Sequence, residues 1–111
     1  KVDNKENKFF KNLDKKVLEF HIAHNEGNYF CTNDQLKEIE DNNQIAVYYC
    51  DHDGNTNDQI NPNGSIKNIA GIFNKEKNVL GMMPHPERMI DISLSGEDGS
   101  LFFKNLINNL K

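Results

Sequence analysis

Hydrophobic and polar positions fall along this chain in short blocks of two kinds. Four are runs rich in β-forming residues: Val17–Ala23, Gln44–Cys50, Ile69–Asn74 and Asn78–Met83, each of strand length. Lys75-Glu76-Lys77 separates the last two and predicts a β-hairpin, with Gly71 and Gly81 as places of close backbone approach or a bulge. Val79–Met83, interrupted only by Gly81, reads as a strand buried on both faces. Two stretches have the helical period instead. One is capped by Thr32, Asn33 or Asp34 and runs to about Asp41, with Leu36 and Ile39 as its apolar face and Asn42-Asn43 as its stop. The other is Leu101–Leu110, where Leu101, Phe102, Leu106, Ile107 and Leu110 make one stripe. Asp51–Asn55, Asn61–Ser65 and Ser95–Ser100 read as turns or loops. Lys1–Lys16 reads as a solvated segment pinned by Phe9, Phe10 and Leu13.

Composition narrows the function classes. With 111 residues, no repeats and no dividing linker, the chain builds at most a single core. A net charge of -4, with no basic cluster, argues against a nucleic-acid surface. No apolar run is long enough for a membrane span and no signal-peptide core is present. Cys31 and Cys50 make no CxxC pair, so a reduced, cytoplasmic setting is expected. The first residue is Lys1, and the natural start is expected upstream of it.

The chemistry concentrates where the last β-run ends. After Met83 the polarity switches at once through Pro84 to His85, Pro86, Glu87 and Arg88. Pro86 disfavours the α region for His85, and in an extended segment residues 85 and 87 share one side. An imidazole beside a carboxylate at a strand end is the base-and-orienter half of a triad, placed where open α/β sheets hold their ligands. Arg88 is the one arginine against 12 lysines, which points to a position that needs a planar guanidinium. A second His-x-Glu, His24 and Glu26, follows the first β-run. Read as structure alone, it is a loop whose polar side chains hydrogen-bond the backbone.

The two pairs together would supply donors for a divalent metal, although neither lies in a helical HExxH. The acidic spacing at Asp51-His52-Asp53 does not make an EF-hand. Counted from Asp51, Gly54 falls at position 4 and Pro62 at position 12, where a glycine at 6 and a glutamate at 12 are required. His21 and His52 read as structural or solvated. Cys31 and Cys50 follow aromatic pairs and lack the flanking glycines of a nucleophile elbow. The chain thus offers a base and its orienting acid without a nucleophile.

Asn78–Arg88 together with Ile22–Tyr29, Asn61–Ser65 and Ile69–Ile72 resembles the glutaminase subunits of phosphoribosylformylglycinamidine synthases, which are class I (triad) glutamine amidotransferases of purine biosynthesis. The similarity runs from about Val17 to the C-terminus. His21 and Asn25 depart from it, standing where the family has proline and glycine.

The resemblance implies that His85 is the catalytic histidine and Glu87 its orienting glutamate, with His24, Glu26 and Arg88 nearby. It implies an α/β fold: part of an open, mostly parallel sheet flanked by helices, with an antiparallel hairpin. Residues 1–111 would be the C-terminal half of the amidotransferase domain, and the nucleophilic cysteine would lie in the N-terminal half. The implied reaction is hydrolysis of L-glutamine to glutamate and ammonia, delivered to formylglycinamide ribonucleotide amidation. This chain would need no cofactor, and ATP and magnesium would belong to the partner synthase large subunit. A small accessory subunit would complete the assembly. Two other readings stay open: a metal-dependent hydrolase built on both His-x-Glu pairs, and a non-catalytic module that docks on a synthase.

Overall fold

Thr32 starts the first helix by a reciprocal exchange. Its hydroxyl accepts the Gln35 amide at 3.2 Å, and the Gln35 side chain accepts the Thr32 amide at 3.0 Å, satisfying two otherwise orphaned donors. The computed structural model describes residues 1–3, 7–13, 15–20, 29–57, 59, 61–62, 64–88 and 98–110. Helix α1 spans Asn33–Asp41 and buries Leu36. It stops at Asn42, followed by Asn43 at φ 55°, a left-handed conformation that asparagine accepts.

Three strands follow: β1 (Ile45–Tyr48), β2 (Ile69–Phe73) and β3 (Leu80–Met82), in the order β1-β2-β3. The class is α/β and the β2–β3 hairpin falls where the sequence places it. Every strand pairing among the described residues is antiparallel. β1 and β2 bury both faces, and the register shifts around Val47 break the strict alternation of their side chains. Ile45, Tyr48, Ile69 and Ile72 pack with Leu36 and Cys31 on the α1 side. Ala46, Ala70 and Phe73 pack with Phe10, Leu13 and Phe102 on the other. Phe10 meets Phe73 and Phe102 at ring distances of 6.2 and 5.7 Å, so the aromatic anchors of the N-terminal segment belong to the core. Val2 also joins the sheet, bridging Val47.

Four expectations are corrected. The run from Val79 is not buried on both faces: β3 is three residues long, pairs with β2 on one side, and leaves Val79 60% exposed. Gly81 is not a close approach, since a Cβ there meets nothing within 4 Å, whereas at Gly71 it would meet Met82, Val47 and the Gly81 carbonyl. Residues 17–20 carry no strand; Leu18 and Phe20 pack on the core, and the Glu19 amide donates to the Asp98 carboxylate at 2.8 Å instead of a ladder. The rest of that run lies outside the described residues. Helix α2 begins at Asp98, three residues before the expected Leu101, and ends at Asn109. Its apolar stripe buries only in part: Phe102 is inside, while Ile107 and Leu110 are exposed, because the last turns run past the core. No helix among the described residues is long and apolar enough to cross a membrane.

Candidate functional site

The Met83 amide donates to the Ala70 carbonyl at 2.9 Å, carrying the hairpin's pairing one residue past β3. Pro84 cannot extend it, having no N–H. Pro86 then opens a 3₁₀ turn, Pro86–Arg88, which its fixed φ favours. The sequence predicts an extended segment here; His85 does take part in an isolated β-bridge, while from Pro86 the backbone turns and still brings the pair together. His85 Nδ1 lies 2.7 Å from Glu87 Oε1. With Nδ1–H donated to the carboxylate, Nε2 is left as the basic nitrogen, able to take a proton from a nucleophile and return it to a leaving group. The His85 side chain is 36% exposed and that of Glu87 57%, so the imidazole is open to a reactant. Helix α2 packs against this turn. Arg88 closes the turn; its side chain lies outside the described residues.

His24, Glu26 and His21 also lie outside the described residues, as does Asn25. What is described is the residue that follows that stretch. The Tyr29 amide donates to Ser65 Oγ at 3.1 Å, and the Ile66 amide donates to the Tyr29 carbonyl at 2.9 Å. Ser65 is held in turn by Asn61, whose side chain accepts the Gly64 amide at 2.8 Å and donates to the Ser65 carbonyl at 2.8 Å. Gly64 takes φ 79°, which its missing Cβ permits. The Asn-Pro-x-Gly-Ser turn was legible as a turn; its hold on Tyr29 was not, because nothing local encodes a partner 36 residues away.

A cleft of about 470 Å³ lies beside Pro84, walled by Leu18, Phe20, Tyr49 and Cys50, with Lys15 and Asp98 among its polar residues. Cys50 is half-buried there and Cys31 is buried beside Leu36, matching their expected packing role. The Asp51 carboxylate accepts the amides of Asp53 and Asn55 at 2.9 and 2.8 Å. Among the described residues no group of three or more His, Cys, Asp and Glu side chains is placed to hold a metal.

Comparison with known proteins adds a family. Residues 1–96 match the CobB/CobQ-like glutamine amidotransferase domain. The phosphoribosylformylglycinamidine synthase subunit PurQ of Pelagibacter ubique is 73% identical over 111 residues, which are 100% of this chain and 49% of that protein. The PurQ subunit of Aquifex aeolicus is 43% identical over 98% of this chain and 48% of its own length. A solved structure of PurLQS from Thermotoga maritima superposes with a TM-score of 0.71 at 32% identity, covering 99% of this chain and 44% of the other. The chain spans about half the length of the relatives it matches.

Proposed function

The chain belongs to the CobB/CobQ-like glutamine amidotransferase domain family, and from that premise we propose that it supplies the base and orienting acid of a glutaminase. In the proposed reaction a cysteine, outside these 111 residues, attacks the side-chain amide of glutamine. His85 takes the thiol proton and passes it to the departing ammonia, while Glu87 holds the imidazole in the tautomer with Nε2 unprotonated. Water then cleaves the thioester to glutamate, with His85 acting again as base.

The observation that carries this reading is the 2.7 Å His85–Glu87 contact at the end of the hairpin. Residues 1–111 serve as the C-terminal half of the domain and release no ammonia by themselves, since a base must sit within about 3 Å of the group it deprotonates. The relatives' names point to the user of the ammonia: a phosphoribosylformylglycinamidine synthase, which amidates formylglycinamide ribonucleotide in purine biosynthesis. The partners would be the synthase large subunit, holding ATP and magnesium, and a small accessory subunit, together in the cytoplasm. His24, Glu26 and Arg88 are proposed as neighbours of the catalytic pair.

The test is ammonia release from glutamine by the full-length protein with its synthase partner. His85→Ala should reduce it by roughly 10³-fold or more. Full activity in that variant would overturn the assignment.

A further inference from the structure

Asp98 opens α2 and commits both carboxylate oxygens to a segment far earlier in the chain. Oδ1 accepts Lys15 Nζ at 2.8 Å, and Oδ2 accepts the Glu19 amide at 2.8 Å. Its side chain is only 15% exposed, against 51% for Lys15. An exposed lysine–carboxylate pair would do little by itself. A largely buried carboxylate that also accepts a backbone amide fixes direction as well as distance.

The pieces joined at Asp98 surround the catalytic turn. Phe20 meets Phe102 of α2 edge to face at a ring distance of 6.1 Å. Leu18 and Phe20 share the cleft wall with Pro84, the residue before His85. Helix α2 itself packs on Pro86–Arg88. Packing alone does not call for a carboxylate at this joint, because Phe10, Phe20 and Phe102 already form an apolar contact between the same pieces and taking a charge out of water is costly.

We propose that Asp98 is a positioning residue for the glutaminase reaction. It locks α2 to residues 15–20, and through α2 it sets the Pro86–Arg88 turn so that the His85 imidazole meets the nucleophile at hydrogen-bonding distance. This rests on the amidotransferase reading above.

The experiment compares Asp98→Asn with wild type in the full-length protein with its synthase partner. Ammonia release is measured well below each melting temperature and normalised to sites titrated with a glutamine-analogue alkylator. Misplacing a base by a fraction of an ångström should lower kcat about 10-fold while leaving the KM for glutamine near wild type, and Asp98→Glu should recover part of the loss. An unchanged kcat, whether with a lower melting temperature or with a raised KM, overturns the proposal. Should Asp98→Asn fail to fold, Asp98→Glu, which keeps the charge but moves it by one methylene, carries the same test: a kcat loss of about 3-fold supports it, and wild-type kcat overturns it. His85→Ala runs alongside. If that variant is dead and Asp98→Asn is fully active, only the role of Asp98 falls; if wild type itself releases no ammonia, both readings fall.

Discussion

Gly71 and Val47 face each other so closely that a Cβ on Gly71 would lie 2.9 Å from Val47 Cγ2. Met82 Cβ would be equally near, at 2.9 Å, on the opposite neighbour strand. The register between β1 and β2 shifts on both sides of Val47, so both Ala46 and Val47 join the cluster around Phe73. The glycine makes room for that crowding. It also lets β2 hold β3, the strand that delivers Pro84 and His85.

Gly71→Ala should therefore destabilise the protein by about 1–3 kcal/mol, the cost of overpacking a closed site. Gly81→Ala meets open space and should be neutral or stabilising by about 0.5 kcal/mol, because alanine loses less backbone entropy in a strand. Denaturant melts of the two variants check the contrast; equal effects would mean that the close approach at Gly71 is not what matters.

The difference between these two glycines marks the limit of what the sequence carries. Thr32 with Gln35, and Leu36 with Ile39, encode α1 locally, and the Lys75–Lys77 break encodes the hairpin. Burial on both faces depends on neighbours. The apolar run from Val79 resembles an inner strand, yet among the described residues it pairs on one side only. The Val2–Val47 bridge and the Asp98–Glu19 bond join residues tens of positions apart, and no periodicity reports them. The His85–Glu87 contact was legible because the two residues lie two apart, on either side of Pro86. Even there the local rule predicted extended backbone through Glu87; it holds at the bridged His85, and the 3₁₀ turn from Pro86 brings the pair together by another route.

Ser65→Ala should cost about 1–3 kcal/mol. Ser65 is 3% exposed, and removing its hydroxyl leaves the Tyr29 amide without its acceptor in a partly buried place. Ser65→Thr keeps the acceptor and should lose less. Thermal melts of the pair decide it; an alanine variant as stable as wild type would show that water replaces the hydroxyl without loss.

Asp51 gives a pH prediction. The Asn55 amide foremost, then the Asn55 side chain and the amides of Asp53 and Gly54, hold its carboxyl below the usual 3.8. A folded-state pKa lowered in this way contributes stability that is present above the unfolded value and disappears as pH falls through the folded one. Asp51→Asn should lower the melting temperature at pH 7, and the gap to wild type should close below about pH 4. A gap that stays constant down to pH 2 would assign the effect to geometry and not to charge.

Cys31 and Cys50 should be dispensable for chemistry, the first being buried beside Leu36 and the second half-buried on the cleft wall. In the full-length protein, the double Cys→Ser variant treated with a glutamine-analogue alkylator should still be labelled once, at a cysteine outside these residues. Loss of the label would make one of the two the nucleophile.

Glu87→Gln separates orientation from folding. Glu87 is more than half exposed, so the isosteric amide should leave the stability within about 0.5 kcal/mol of wild type. Its chemical effect is much larger. In the proposed reaction the carboxylate accepts Nδ1–H and so keeps Nε2 free to take the thiol proton. A glutamine amide at the same 2.7 Å separation can donate to Nδ1 instead, which selects the tautomer with Nε2 already protonated and unable to act as base. Glutaminase kcat in the full-length protein should fall by about 10²–10⁴, the range expected when an orienting carboxylate becomes an amide. Glu87→Asp, which shortens the reach but keeps the charge, should fall less. Steady-state ammonia release beside thermal melts tests both; a fully active Glu87→Gln would mean that some other group fixes the imidazole.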